Sequence, residues 1–194
     1  KIKLVIFDVN QTMFSLSEIE RLFQINKLKK GLVDVWFNSV LKEGFSYSLS
    51  GRYMDFSLIG INELKKILLQ NKKPVTEEII TKIMKGFEDL EIHNDIKKSL
   101  KFLKKKKIKV VTLTNGSDEN TRKLLKKNNL EKYVDRCFSI NEVKLWKPHK
   151  KVYSHACKIM KTKKQETLMI AVHGWDINGA KLAGLKTGFI SRYE

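Results

Sequence analysis

The sequence predicts an α/β fold: a parallel sheet flanked by helices, with a helical cap inserted after the first strand. Three observations carry this. The chain opens on a short apolar run, Leu4-Val5-Ile6-Phe7, that ends in an acid, Asp8. From Ser17 to about Gly86 the apolar residues recur only at helical spacing. Beyond that block, short apolar runs alternate with amphipathic segments to the end of the chain, as strands joined by helical crossovers do.

Each element follows in order. The opening run lacks polar alternation, so it reads as a strand buried on both faces of a parallel sheet. Val9-Asn10-Gln11-Thr12 is a polar turn. In the helical block, Leu22, Ile25 and Leu28 mark one helix, and Leu32, Val35, Trp36, Val40 and Leu41 a second. Leu58, Ile61, Leu64, Ile67 and Leu68 mark a third; Ile79, Ile80, Ile83, Met84 and Phe87 mark a fourth, after Pro74 and with Thr76 as N-cap. A helix over about 96–106 then leads to the strand Val110-Val111-Thr112-Leu113-Thr114 and the turn Asn115-Gly116-Ser117. A helix over about 119–128 and a strand over 136–140 follow, and Pro148 opens a helix over about 151–160. The strand 168–172 runs into the turn His173-Gly174-Trp175, a helix over 177–183 ended by Gly184, and a last strand over 187–191. Right-handed crossovers assemble such strands into one Rossmann-like sheet. The core domain is therefore expected at 1–14 and 90–194, and the helical cap at 15–89.

Composition narrows the function classes. A chain of 194 residues supports one core with a small subdomain. Basic residues outnumber acidic ones, 39 to 21, for a formal charge of +18. Nearly all are lysines, interleaved with Ile, Leu and Asn and accompanied by no nucleic-acid-binding motif, so the excess reads as compositional bias or a high-temperature lifestyle. The run Lys104-Lys105-Lys106-Lys107 falls at a helix end, where cations suit the dipole. A field of this sign attracts small anionic substrates. Cys137 and Cys157 have neither zinc nor redox-pair spacing, and with no signal-peptide pattern a reducing cytoplasm is expected. No apolar stretch is long enough for a membrane span. The chain lacks a leading Met and stops soon after its last strand, so residues are expected to be missing at the start and the C-terminus to be truncated.

In open α/β sheets the site lies at the carboxyl ends of the strands. Polar residues collect at three such ends: Asp8 and Asn10, Thr114 and Asn115, His173 and Asp176. A carboxylate can attack an activated carbon or phosphorus and form an ester that water hydrolyses. It works best when fixed at a strand terminus beside a cation, and Lys147 is the candidate. The plainer readings are a strand-end acid capping a turn for Asp8 and one more surface lysine for Lys147. Thr114, Asn115 and Ser117 also have the residue types of helix caps.

Four stretches together resemble the haloacid dehalogenase-like hydrolases: Phe7-Asp8-Val9-Asn10-Gln11-Thr12, Leu113-Thr114-Asn115-Gly116-Ser117, Trp146-Lys147-Pro148 and His173-Gly174-Trp175-Asp176. They occur in the family's order, with the cap insertion where the family has it. Within that superfamily the chain is most similar to the type II 2-haloacid dehalogenases, which share the T/S-N-G-S and W-D stretches and a cap G-R-Y-x-x-F, here Gly51-Arg52-Tyr53-Met54-Asp55-Phe56. The resemblance implies Asp8 as nucleophile, Lys147 as its cation, Asp176 and His173 around the hydrolytic water, and Asn10, Gln11, Thr12, Thr114, Asn115 and Phe37 around the substrate. His173 has the titration range of a general base, or else is a hydrogen-bonded loop histidine.

Three departures from the family's pattern shape the expectation. Asn10 replaces the acid with which the superfamily's phosphatases protonate a leaving alcohol; an amide cannot do so, whereas a halide needs no proton. Ala171 and Val172 replace the Gly-Asp pair of Mg²⁺-dependent relatives, so no metal or other cofactor is expected. Phe37 stands where the resemblance implies a halide-receiving cap arginine; Trp36, Phe45 and Tyr47 near it line a small apolar pocket or belong to the core. The leading expectation is a metal-independent hydrolase of small 2-haloacids. The others are a Mg²⁺-dependent phosphatase of the same fold and a non-catalytic binding protein on this scaffold. Neither nucleic acid nor membrane is an expected partner; a homodimer through the cap is implied by the resemblance alone.

Overall fold

In the computed structural model, which describes residues 1–192, β1 (Leu4–Phe7) is followed by four helices, α1 (Ser17–Ile25), α2 (Leu32–Leu49), α3 (Phe56–Gln70) and α4 (Glu77–Lys85). Strand and helix then alternate: α5 (Asn94–Lys105), β2 (Lys109–Thr114), α6 (Asp118–Lys127), β3 (Arg136–Ser139), α7 (Lys150–Ile159), β4 (Thr167–Ala171), α8 (Gly174–Leu182) and β5 (Lys186–Phe189). The chain divides into two compact units, 1–14 with 92–194, and 15–91.

The five strands form one parallel sheet in the order β3-β2-β1-β4-β5. All of β1 is buried, which is why its sequence is uniformly apolar. Phe7 pairs with Thr112 on one side and Ile170 on the other, so the chain leaves β1 between the ends of β2 and β4. That topology gathers the three polar strand ends at one edge of the sheet.

Two local expectations differ from the structure. α8 begins at Gly174, not at 177, so Trp175 and Asp176 stand in its first turn rather than in a loop. His173 keeps an extended backbone, and its carbonyl accepts from Asp176 N at 3.1 Å, closing that turn; an acid there also suits the helix dipole. Pro148 does not open α7. His149 does, its ring Nδ1 accepting from Lys151 N at 3.2 Å.

The helical unit is centred on Trp36, whose ring lies 5.8 Å from Phe23 and 5.9 Å from Phe87 and whose Nε1 donates to the Gly60 carbonyl at 3.0 Å. Ile25, Val35 and Leu58, which mark their helices by spacing, are half exposed. On α2 the buried face is Val33, Trp36, Phe37, Val40, Leu41 and Gly44; Val35 is turned about 100° from Trp36 and misses it.

Part of the lysine surplus has a structural address. Among the described residues, Lys27, Lys72, Lys107, Asn129, Lys144 and Lys161 have φ between 52° and 57°, and each stands two places beyond a helix. At Lys107 the ending is a Schellman motif, with Lys107 N bonded to Lys104 O at 3.0 Å and Ile108 N to Leu103 O at 3.1 Å. Gly184 fills the same slot after α8 with φ 94°. A side chain in this left-handed region is disfavoured by about 1 kcal/mol relative to glycine. Lys72→Gly, Lys107→Gly and Lys161→Gly should therefore each raise the unfolding free energy by about 1 kcal/mol in urea titrations. A loss of stability in all three would mean the lysine side chains make compensating contacts.

Candidate active site

The site lies wholly in the sheet unit. Asp8 is one residue past β1, anchored by its N–H to Ile170 O at 3.0 Å, and the residue is 5% exposed. Lys147, on the loop between β3 and α7, is fully buried, and its Nζ donates to Asp8 Oδ1 at 2.9 Å, Asp176 Oδ2 at 2.6 Å and the Leu113 carbonyl at 3.0 Å. All three ammonium hydrogens thus have acceptors. The other Asp176 oxygen, Oδ1, accepts from the Tyr153 hydroxyl at 2.6 Å. Asp8 Oδ2 accepts from Thr12 Oγ1 at 2.6 Å, and the same Thr12 oxygen accepts from Val172 N at 3.1 Å.

Around this core stand the remaining residues singled out from the sequence. His173 Nε2 is 2.8 Å from Gln11 Oε1, and its Nδ1 is 3.3 Å from Asp8 Oδ2, an ion-pair distance. The imidazole stacks on Trp175, centroids 5.2 Å apart, and Lys147 Nζ is 5.6 Å from the centroid of the same indole. Asn115 Oδ1 accepts from Lys147 N at 3.0 Å, while its buried Nδ2 has no partner. Thr114 Oγ1 accepts from Gly116 N at 2.9 Å, and Ser117 caps α6 by accepting from Asn120 N at 3.2 Å. Asn10 and Gln11 are half-buried. Phe37 belongs to the helical unit, where it is buried with its ring 6.2 Å from that of Phe56.

The electrostatics follow from burial and one shared cation. Burial alone would raise the Asp8 carboxyl, but Lys147, with His173 and Thr12 adding, holds it below the ordinary carboxylate range. At Asp176 burial wins: its carboxyl is raised, with the Asp8 charge pushing the same way and Lys147 and Tyr153 opposing. Burial would lower Lys147, but the two carboxylates raise it. Tyr153 is pushed well above the ordinary phenol range by burial and by the Asp176 charge, so it stays a donor.

Tyr153 is the member that sequence reading missed. An aromatic on the inner face of an amphipathic helix reads as core, and only the partner of its hydroxyl reveals more. Gly179 of α8 makes the approach feasible: a Cβ there would collide with Pro148 and stand 2.9 Å from the Tyr153 hydroxyl. Thr12 also differs in kind from its neighbours, because its hydroxyl both donates and accepts within the protein.

A divalent cation does not fit these residues. The ammonium of Lys147 already stands between Asp8 and Asp176, and among the described residues no three His, Cys, Asp or Glu side chains are grouped to hold a metal ion. No described helix is long and apolar enough to cross a membrane.

Comparison with known proteins gives a family profile and a shared fold. The family profile of the haloacid dehalogenase-like hydrolases matches residues 28–190. The chain is 26% identical to (S)-2-haloacid dehalogenase 1 of Pseudomonas sp. (strain CBS-3), over 98% of this chain and 85% of that protein. It is 22% identical to haloacetate dehalogenase H-2 of Moraxella sp. (strain B), over 100% and 87%. The solved structure of the L-2-haloacid dehalogenase from Xanthobacter autotrophicus superposes with a TM-score of 0.91 at 23% identity, covering 100% of this chain and 79% of that one, and shares the fold.

Lys147 holds two carboxylates in a buried site, so its removal is expected to be severe. Lys147→Met should destabilise the protein by about 3–5 kcal/mol in urea titrations at neutral pH. The two stranded carboxyls would have raised pKa values, and a raised acid disfavours the fold above its pKa, so the deficit should shrink as pH falls. Adding Asp176→Asn should recover part of it; strictly additive losses would show that the three groups do not act as a unit.

Proposed function

This chain belongs to the haloacid dehalogenase-like hydrolases, and from that footing we propose that it hydrolyses the carbon–halogen bond of a small 2-haloalkanoic acid to give a 2-hydroxy acid. The observation that carries the reading is Asp8 itself: a carboxylate held ionised beside a buried ammonium, with an amide, Asn10, two residues on. The pairing suits a leaving group that departs as a stable anion.

In the first step an Asp8 oxygen attacks the carbon bearing the halogen. A C–O bond forms as the carbon–halogen bond breaks with inversion, and the halide leaves with the bonding pair. In the second step water adds to the carboxyl carbon of Asp8, the acyl–oxygen bond breaks, and the product oxygen takes up a proton. Lys147 orients the nucleophile and offsets charge at the carboxyl group. The resemblance gives Asp176 and His173 the water's proton, and His173 Nδ1, 3.3 Å from Asp8 Oδ2, supports that role. The free Nδ2 of Asn115, Thr114 and the first turn of α6 form the seat for the substrate carboxylate. Asn10, Gln11 and Thr12 shape the turn that presents Asp8, Thr12 through its hydroxyl. Phe37 stands where the resemblance implies a cation and carries no charge, so departure of the halide relies on the basic character of the chain.

The test is halide release from fluoro-, chloro- and bromo-acids in the presence of EDTA, with Asp8→Asn as control. Release that survives EDTA and falls at least ~10³-fold in Asp8→Asn is the expected result. Mg²⁺-dependent cleavage of an aryl phosphate in its place, or silence toward both substrate classes, would overturn the proposal. Asn115→Asp puts a negative charge where the substrate carboxylate sits, and should raise KM by at least ~10-fold.

The pH behaviour of the first step follows from the depressed Asp8. A carboxyl with a lowered pKa stays ionised as pH falls through the ordinary carboxylate value near ~4. Single-turnover formation of the Asp8 ester, read by rapid quench and mass spectrometry, should therefore hold steady across that range. A loss of ester formation centred near ~4 would place Asp8 in the ordinary range and contradict the role of Lys147.

A further inference from the structure

The lysine surplus is scattered along the chain but not in the fold. In a parallel sheet with returning helices, the starts of the five strands and the ends of α5 to α8 fall at one edge, opposite the edge that carries Asp8. Residues 1–3, 102–109, 125–136, 157–167 and 181–186 make this pole, all within the sheet unit. These 40 residues hold 17 lysines and arginines against 3 acids, Glu131, Asp135 and Glu166. The other 154 residues hold 22 against 18. Most of the formal charge of +18 therefore stands at one end of the sheet. Its basic residues are exposed, except for the half-buried Lys164.

Neither a uniform bias nor helix dipoles produce this distribution. A bias would be spread over the whole chain, whereas outside the pole the charges nearly balance. Dipoles account for Lys104, Lys105, Lys126, Lys127, Lys158 and Lys181, which stand in last turns. They do not account for Lys3, Lys109, Lys163, Lys164 and Lys186, at strand starts and in connecting turns. Two of the three acids are already engaged: Glu166 by Lys3 at 2.8 Å, and Asp135 by Val110 N, which donates to it at 2.7 Å. Like charges crowded in this way repel one another, and an anionic surface laid against them offsets that repulsion. The pole also carries apolar groups. Four large apolar side chains are exposed among the described residues of the sheet unit, and three of them, Phe102, Ile159 and Leu182, stand here at the ends of α5, α7 and α8.

We propose that this pole is a docking surface for an anionic lipid bilayer. Its 16 lysines act as point charges toward a diffuse layer of headgroups. Arg136, the one side chain of the pole with the planar fork that grips a phosphate through two bonds, is turned to Glu142 at 3.0 Å and lies over the Phe138 ring. Phe102, Ile159 and Leu182 have little to meet on a nucleic-acid backbone but can enter the headgroup layer. Charge together with modest apolar insertion is the pair of signals that reversible membrane attachment uses. Such a surface needs neither a membrane span nor a sequence motif, which is why the sequence led to the opposite expectation. The contact uses the edge of the sheet away from Asp8, so it does not depend on the dehalogenase reading.

Co-sedimentation of the whole chain with vesicles tests this. Phosphatidylcholine vesicles with about 30% phosphatidylserine should bind the protein at about 0.1 M salt and release it at about 1 M, and phosphatidylcholine alone should not bind it. Reversing four pole charges together, Lys105→Glu, Lys132→Glu, Lys163→Glu and Lys186→Glu, should weaken binding at least ~10²-fold. The same change of charge toward the other end of the unit, Lys97→Glu, Lys98→Glu, Lys150→Glu and Lys151→Glu, should weaken it less than ~10-fold. Phe102→Ser with Leu182→Ser should weaken it about 10-fold. Amide hydrogen exchange of the wild type on vesicles, which needs no variant to fold, should slow in 102–109, 157–167 and 181–186. Binding that ignores phosphatidylserine, equal losses in the two charge-reversed proteins, or exchange protection elsewhere would overturn the proposal. So would tighter binding to a DNA duplex of about 20 base pairs than to the vesicles at equal phosphate concentration, which would make the pole a nucleic-acid surface.

Discussion

The Lys147 ammonium, shared between Asp8 and Asp176, is the interaction on which the rest of the site depends. Two carboxylates this deeply buried would repel each other and draw protons. One cation with its three hydrogens directed at Asp8, Asp176 and a backbone carbonyl makes their coexistence feasible, and it splits their behaviour. Asp8, with a threonine hydroxyl and an imidazole also beside it, is held ionised; Asp176, deeper and facing the Asp8 charge, is raised. The asymmetry separates a nucleophile from a support without any metal-ligand chemistry being needed to explain either.

The fold supplies the convergence that the interaction needs. Asp8, Lys147 and Asp176 are far apart in the chain, and a parallel sheet with β1 at its centre brings the ends of β2, β1 and β4 to one edge. Fine placement then comes from close packing. Gly179 lets α8 approach Pro148 and Tyr153, which sets Asp176 against Lys147. Asn115 reaches across from the end of β2 to hold the Lys147 backbone. A nucleophile on a strand end and its cation on a loop are thus joined by groups that touch no substrate.

Much of this was legible in the sequence, for definable reasons. Uniform apolar runs mark buried parallel strands, and polar residues at their carboxyl ends mark the site, so Asp8, Thr114, Asn115, His173 and Asp176 stood out before any coordinates. What was not legible depends on direction rather than residue type. Tyr153 did not stand out because its hydroxyl partner lies on another helix. Ile25, Val35 and Leu58 mark helices yet are half exposed, because spacing along a helix does not say which stripe faces inward. The start of α8 was missed because its cap is a backbone shape at His173, which makes no side-chain capping bond.

The lysine excess illustrates the same limit from the other side. Composition presents every lysine as equivalent, and several occupy exposed helix ends in a left-handed conformation, where the residue type is tolerated rather than required. Among the described residues Lys147 is the one buried lysine. Burying an ammonium is unfavourable by several kcal/mol unless its charge and hydrogens are matched, so its position implies partners even before they are named. The neighbouring Trp-Lys-Pro stretch hinted at that role by resemblance; burial supplies the physical reason. A chain rich in one charged residue therefore conceals its functional copy in the sequence and exposes it in the fold, through the cost that only a paired copy can meet.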